Sequence, residues 1–159
     1  MSDSAFAGDD FDFEFGDWTV RHRRLKARLA GSDDWDEFVG TSSTRPVLGG
    51  HGNIEDNFVD FPGGAYRAIA IRAFRPEEGS WAIWWLDARN PHHLDVPVVG
   101  RFNDGEGAFF ADDELDGRPI VVRFLWRKTR TPAPRWEQAF SADGGKTWET
   151  NWTMDFSRA

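Results

Sequence analysis

Trp148-Glu149-Thr150-Asn151-Trp152-Thr153-Met154-Asp155-Phe156 is the stretch that decides the fold. Trp148, Thr150, Trp152, Met154 and Phe156 fall on one face, and Glu149, Asn151, Thr153 and Asp155 on the other. Alternation of this kind marks an antiparallel strand with one buried and one wet side, because successive side chains of a strand point to opposite faces. The preceding segments repeat the pattern. Trp136, Gln138 and Phe140 oppose Arg135 and Glu137, while Ile120, Val122, Phe124 and Trp126 oppose Arg123 and Arg127. Trp81, Ile83, Trp85 and Asp87 share a face, although Trp84 and Leu86 make the other side of that segment apolar too.

Turn signals separate these segments at short, even intervals. They fall at Gly31-Ser32-Asp33, Gly49-Gly50, Pro62-Gly63-Gly64, Pro76-Glu77-Glu78-Gly79, Asn90-Pro91, Asp104-Gly105, Asp116-Gly117, Thr131-Pro132 and Asp143-Gly144-Gly145. Glycine supplies positive φ and proline presets a turn. The spacing predicts about ten strands and little helix; the nearest helical candidate, Leu25 to Leu29, is too short to sustain a period. A sheet of that many strands escapes exposed edges by closing on itself. The expected fold class is therefore all-β, a single antiparallel up-and-down barrel of about ten strands, which the even spacing suits better than the alternative, a sandwich with a long Greek-key crossover. The domain expectation is one unit over 1–159, with 1–10 a flexible acidic tail.

Composition narrows the function classes. The formal net charge is −8, whereas sequence-independent nucleic-acid binding needs a basic face. Cysteine is absent, which removes disulfides and thiolate chemistry. The opening residues have neither a basic nor an apolar region of signal-peptide type, and no apolar run approaches a bilayer span. A cytoplasmic protein without nucleic-acid or membrane partners is expected; a homodimer is compatible with the sequence. Nine Trp and 14 Phe are the unusual feature, since rings of that size need a large interior or a ligand surface.

Two resemblances follow from motifs. Gly16-Asp17-Trp18 resembles the entry to the first strand of calycin barrels, where the tryptophan plugs one end. Together with Trp81-Ala82-Ile83-Trp84-Trp85-Leu86-Asp87 and Arg135-Trp136-Glu137-Gln138-Ala139-Phe140-Ser141, and with Thr150-Asn151-Trp152, it makes the chain similar to small bacterial lipocalin-like proteins classed as a domain of unknown function. The resemblance implies the barrel and no particular reaction; it also places Trp18 under an arginine such as Arg158. Ser141-Ala142-Asp143-Gly144-Gly145-Lys146-Thr147-Trp148 is similar to the Asp-box hairpin, read here as a rigid turn.

Parity selects the candidate site. Trp85, Trp126, Gln138 and Trp152 are expected to bound an interior pocket, with His22 and Arg72 near its mouth or floor. Asp87, if inward, needs Arg72 or Arg89 as partner, because an unpaired buried charge is costly. An inward His22 is a candidate base, or an axial ligand were the barrel to hold haem as nitrobindin-type calycins do; a hydrogen-bonded interior histidine is the plainer reading. His51, and His92-His93 with Asp95, read as solvated turns without metal-ligand spacing. No cofactor or metal is expected, and no catalytic residue is assigned. The first reading of function is binding of a small apolar or aromatic ligand. The alternatives are a calycin-type enzyme (cyclase, isomerase or decarboxylase) using an inward His or carboxylate, and a packed barrel acting by protein association.

Overall fold

The computed structural model describes residues 8–159. Ten strands run β1 (Gly16–Leu25), β2 (Trp35–Val47), β3 (Gly52–Val59), β4 (Tyr66–Arg75), β5 (Ser80–Asp87), β6 (Val98–Asn103), β7 (Glu106–Leu115), β8 (Arg118–Arg127), β9 (Arg135–Ser141) and β10 (Glu149–Arg158). Each pairs antiparallel with its sequence neighbours, and β1 pairs with β10, closing the barrel. Helical structure among the described residues is confined to two 3-10 turns, Asp12–Glu14 and Leu48–Gly50. The expected all-β up-and-down barrel is thus observed. All nine connections fall at the anticipated turns; in Asp104-Gly105 and Asp116-Gly117 both residues take positive φ, as two-residue hairpin turns of right-handed twist require.

The alternation holds for most strands but not for all of β10. Pairing with β9 slips between Thr150 and Trp152, leaving Asn151 as an extra residue. A bulge of one residue inverts the parity of what precedes it. Trp152, Met154 and Phe156 therefore face inward, while Trp148 turns to the outer surface, where Arg123 lies 4.4 Å above its ring and Phe110 packs beside it. The single-face reading of Trp148 through Phe156 is corrected accordingly. The adjoining turn is the rigid hairpin expected. Asp143 accepts from the Lys146 and Thr147 backbone N–H groups and from Thr147 Oγ1, and Ser141 Oγ accepts from Gly145 N. These hydrogen bonds hold the Asp143 carboxyl far below its ordinary range.

One end of the barrel is sealed. Residues 8–15 cross it, so the tail expected over 1–10 falls for residues 1–7 outside the described part, while Asp10 accepts a hydrogen bond from Trp81 Nε1 at 2.9 Å. Phe11 is fully buried among Trp81, Phe102, Phe109 and Trp126, with ring centroids 4.9–6.1 Å away. Gly16 then turns the chain into β1 at φ 103°, and a Cβ there would stand 2.8 Å from Arg158 Nη1. Arg158 lies 3.7 Å over the ring of Trp18, which is 2 % exposed and donates to the Glu14 carbonyl. This is the Trp18–Arg158 cap that the Gly-x-Trp entry implies.

Candidate functional site

Inward parity places two different surfaces in one lumen. At the sealed end, β3 and β4 contribute Asn53, Glu55 and Arg72, and the incoming N-terminal segment contributes Glu14; all four are at most 3 % exposed. The Arg72 guanidinium donates to Glu14 Oε2 at 2.6 Å, to Asn53 Oδ1 at 2.9 Å, and to Glu55 in a short contact. Glu55 also accepts from Ser42 Oγ. Two carboxyls thus face one cation. Burial, reinforced by Glu55 and opposed by Arg72, pushes the Glu14 carboxyl well above the ordinary carboxylate range. The group favours its protonated form because an uncompensated second charge would sit in a dry interior.

At the other end the lumen opens into a cup of about 460 Å³. Its wall is Trp85, Phe124, Trp136, Phe140 and Trp152, with aliphatic patches from Ile83, Val98, Ile120 and Val122. Edge-to-face contacts set these rings: Trp136 lies 5.4 Å from Trp152 and 5.0 Å from Phe124, and Trp85 lies 5.9 Å from Trp152. Gln138 faces the cup between Trp136 and Phe140. Its amide donates to Asn151 Oδ1 at 2.9 Å, so the bulged residue supplies the partner that a half-buried amide needs.

The rim is polar. Asp87 is clamped by Arg89 through side-chain contacts at 3.0 and 2.7 Å and a backbone N–H at 2.8 Å. Partial burial pushes this carboxyl up, but the Arg89 hydrogen bonds outweigh it and hold Asp87 below its ordinary range. Arg89 in turn lies 3.5 Å over the Tyr66 ring. Arg24 donates to Tyr66 Oη and stacks 4.6 Å over Trp152, and Arg28 sits 5.5 Å over Phe140. Asp95, Asp113 and Glu114 line the rim from the long β5–β6 connection and the end of β7, and all three are exposed.

Of the residues selected by parity, Trp85, Asp87, Gln138 and Trp152 meet in the cup. Trp126 and Arg72 do not. They lie deeper, beside a gap of about 20 Å³ between cup and seal, with Arg72 committed to Glu14 and Glu55 rather than to Asp87. His22 is inward and 3 % exposed, but it stands behind Trp152 instead of lining the cup. Its Nδ1 accepts from Trp152 Nε1 at 3.1 Å and its ring stacks on Phe38 at 4.8 Å. Burial and the nearby Arg24 push the imidazole down to about 4, so it is neutral near pH 7. His22 acts on the cup by positioning Trp152. His93 approaches Asp95 at 3.5 Å on the exposed rim, and among the described residues no three His, Asp or Glu side chains are grouped to hold a metal ion.

Sequence reasoning missed Arg24, although it follows Trp18, Val20 and His22 in the same alternation. It also missed Glu55, whose inward neighbours Asn53 and Asn57 are polar, so that only Val59 marks the inward face of β3 as dry. Compared with family models and with curated proteins, the chain matches none. Fold and site together define a closed ten-stranded antiparallel barrel, sealed at one end and open to an aromatic cup at the other. Among the described residues no helix is long and apolar enough to cross a membrane.

Proposed function

We propose that the protein binds a small apolar or aromatic molecule in the open half of its barrel, and that it belongs with the lipocalin-like barrels whose Gly-x-Trp entry it shares. The cup carries this reading. Its volume of about 460 Å³ suits one small ligand, and ligand sites are typically apolar concavities with a few placed polar groups. Trp85, Trp136 and Trp152 offer ring faces and edges, and Gln138 offers one amide. A packed barrel acting only by association would instead fill this volume with side chains, as the sealed end does. For an enzyme, the groups that could serve as acid or base are engaged: Asp87 with Arg89, His22 with Trp152, and Glu14 and Glu55 with Arg72 at the sealed end, away from the cup. A cytoplasmic setting is included on sequence grounds alone.

Native mass spectrometry of the protein purified from its own host tests the proposal. The expected result is a non-covalent small-molecule adduct, and quenching of tryptophan fluorescence when planar apolar compounds are titrated into the stripped protein. A bare mass together with unquenched fluorescence across such compounds would overturn it.

A further inference from the structure

The rim cations differ in their partners. Arg89 is neutralised by Asp87 at 2.7 Å. Arg24 and Arg28 are half-buried and line the cup, yet among the described residues neither forms an ion pair with a carboxylate. Both are held in place. Arg24 is fixed by Tyr66 Oη and the Trp152 face, and Arg28 by the Phe140 face and by its neighbour Leu29, whose N–H donates to Glu149 Oε1 at 2.6 Å. Burial, and then the like charges of Arg24 and Arg89, push the Arg28 guanidinium down to about 10. It stays charged at neutral pH, and among the described residues no carboxylate stands within ion-pair distance of it, whereas Arg24 feels the charge of Asp87 across the rim. Like charges gathered at a partly desolvated mouth repel one another, and an anion between them relieves that repulsion.

We infer that the occupant of the cup is an organic anion, with its apolar or aromatic body against Trp85, Trp136 and Trp152 and a carboxylate or sulfonate head between Arg24 and Arg28. This rests on the ligand-binding reading above and adds the chemical class. The guanidinium fork suits a planar or multi-oxygen anion, to which it can present parallel N–H donors. The acidic residues Asp95, Asp113 and Glu114 do not compete for the two cations. Asp113 and Glu114 stand exposed on the rim, where water screens them, and Asp95, whose carboxyl partial burial and then the charges of Asp113 and Asp87 push up, approaches His93 at 3.5 Å and neither arginine.

Two fluorescent probes separate the inference from the reading beneath it. N-phenylnaphthylamine is neutral, and anilinonaphthalene sulfonate carries the same ring system with an anionic head. Both are expected to bind the wild-type protein, the sulfonate more tightly and with an affinity that falls as salt rises. Arg28→Gln should weaken the sulfonate roughly ten- to a hundredfold, the range for losing a charge-assisted contact, and weaken the neutral probe far less; equal weakening of both probes would overturn the anion assignment. Arg28→Lys should retain the salt dependence, and Arg24→Gln should act in the same direction as Arg28→Gln. Retained binding of the neutral probe also reports that each variant keeps its cup. If both probes bind equally well, or Arg28→Gln leaves the sulfonate unaffected, the anion assignment is overturned while the cup remains a binding site. If neither probe binds the wild-type protein, the ligand-binding reading itself falls.

Discussion

The two ends of the lumen are built on the same ten strands and differ in what fills them. At the sealed end the N-terminal segment enters the barrel: Phe11 packs against Trp81, Phe109 and Trp126, and Phe11 and Trp126 cover the Arg72 of a buried Arg72–Glu14–Glu55 group. At the open end no segment of the described chain enters, and the rings of Trp85, Trp136 and Trp152 border a void. Barrel closure determines the width of the lumen; whether that width becomes core or cup depends on which end the chain folds back across. Stability should therefore concentrate at the sealed end and binding at the open one.

The largest expected effect is Arg72→Ala. It strands two buried carboxyls, and breaking a buried pair on one side costs about 3–5 kcal/mol. A loss below about 1 kcal/mol in chemical denaturation would erase the energetic contrast between the ends, since that is the range of exposed ion pairs. An intermediate effect is expected in pH dependence. The Glu14 carboxyl is raised in the folded state above its usual value of 4.5. The folded protein then binds more protons than the unfolded chain over the interval from that value upward. Its contribution is fully present below the unfolded pKa and is lost as pH rises through the folded one. Denaturation midpoints measured from acid to neutral pH should show this decline, and Glu14→Gln should flatten it. The smallest effect is expected at the open end. Asp87→Asn breaks a rim pair whose cation is about half exposed, and should cost at most about 1 kcal/mol. A larger cost would mean that the cup, too, depends on its ion pairs for stability.

Much of this contrast is legible in the alternation of the chain. Val20, Val122, Phe124, Trp136 and Met154 lie where period-two strands place them, because one face of each strand must be dry. Gln138 stands out in the same way, as a polar residue in an apolar row. The pattern misleads where parity is broken or absent. The β10 bulge turns Trp148 outward, and nothing in the local pattern distinguishes a bulged strand from a straight one. Along β3 the inward row Asn53, Glu55 and Asn57 is polar, so its facing is decided by Arg72 on the next strand and by Glu14, 58 residues before that arginine.

The sheet, its turns, its closure and most of its inward rows follow from the order of amino acids alone, since side-chain periodicity and turn chemistry act within a few residues. It takes the folded barrel to assign Arg72 to the seal and not to the pocket, to set His22 behind Trp152, and to bring Arg24 and Arg28 together at the mouth. Those outcomes depend on shear around the closed barrel and on the path of residues 8–15 across its end. Both bring distant residues together, and neither is written into the spacing of any one strand.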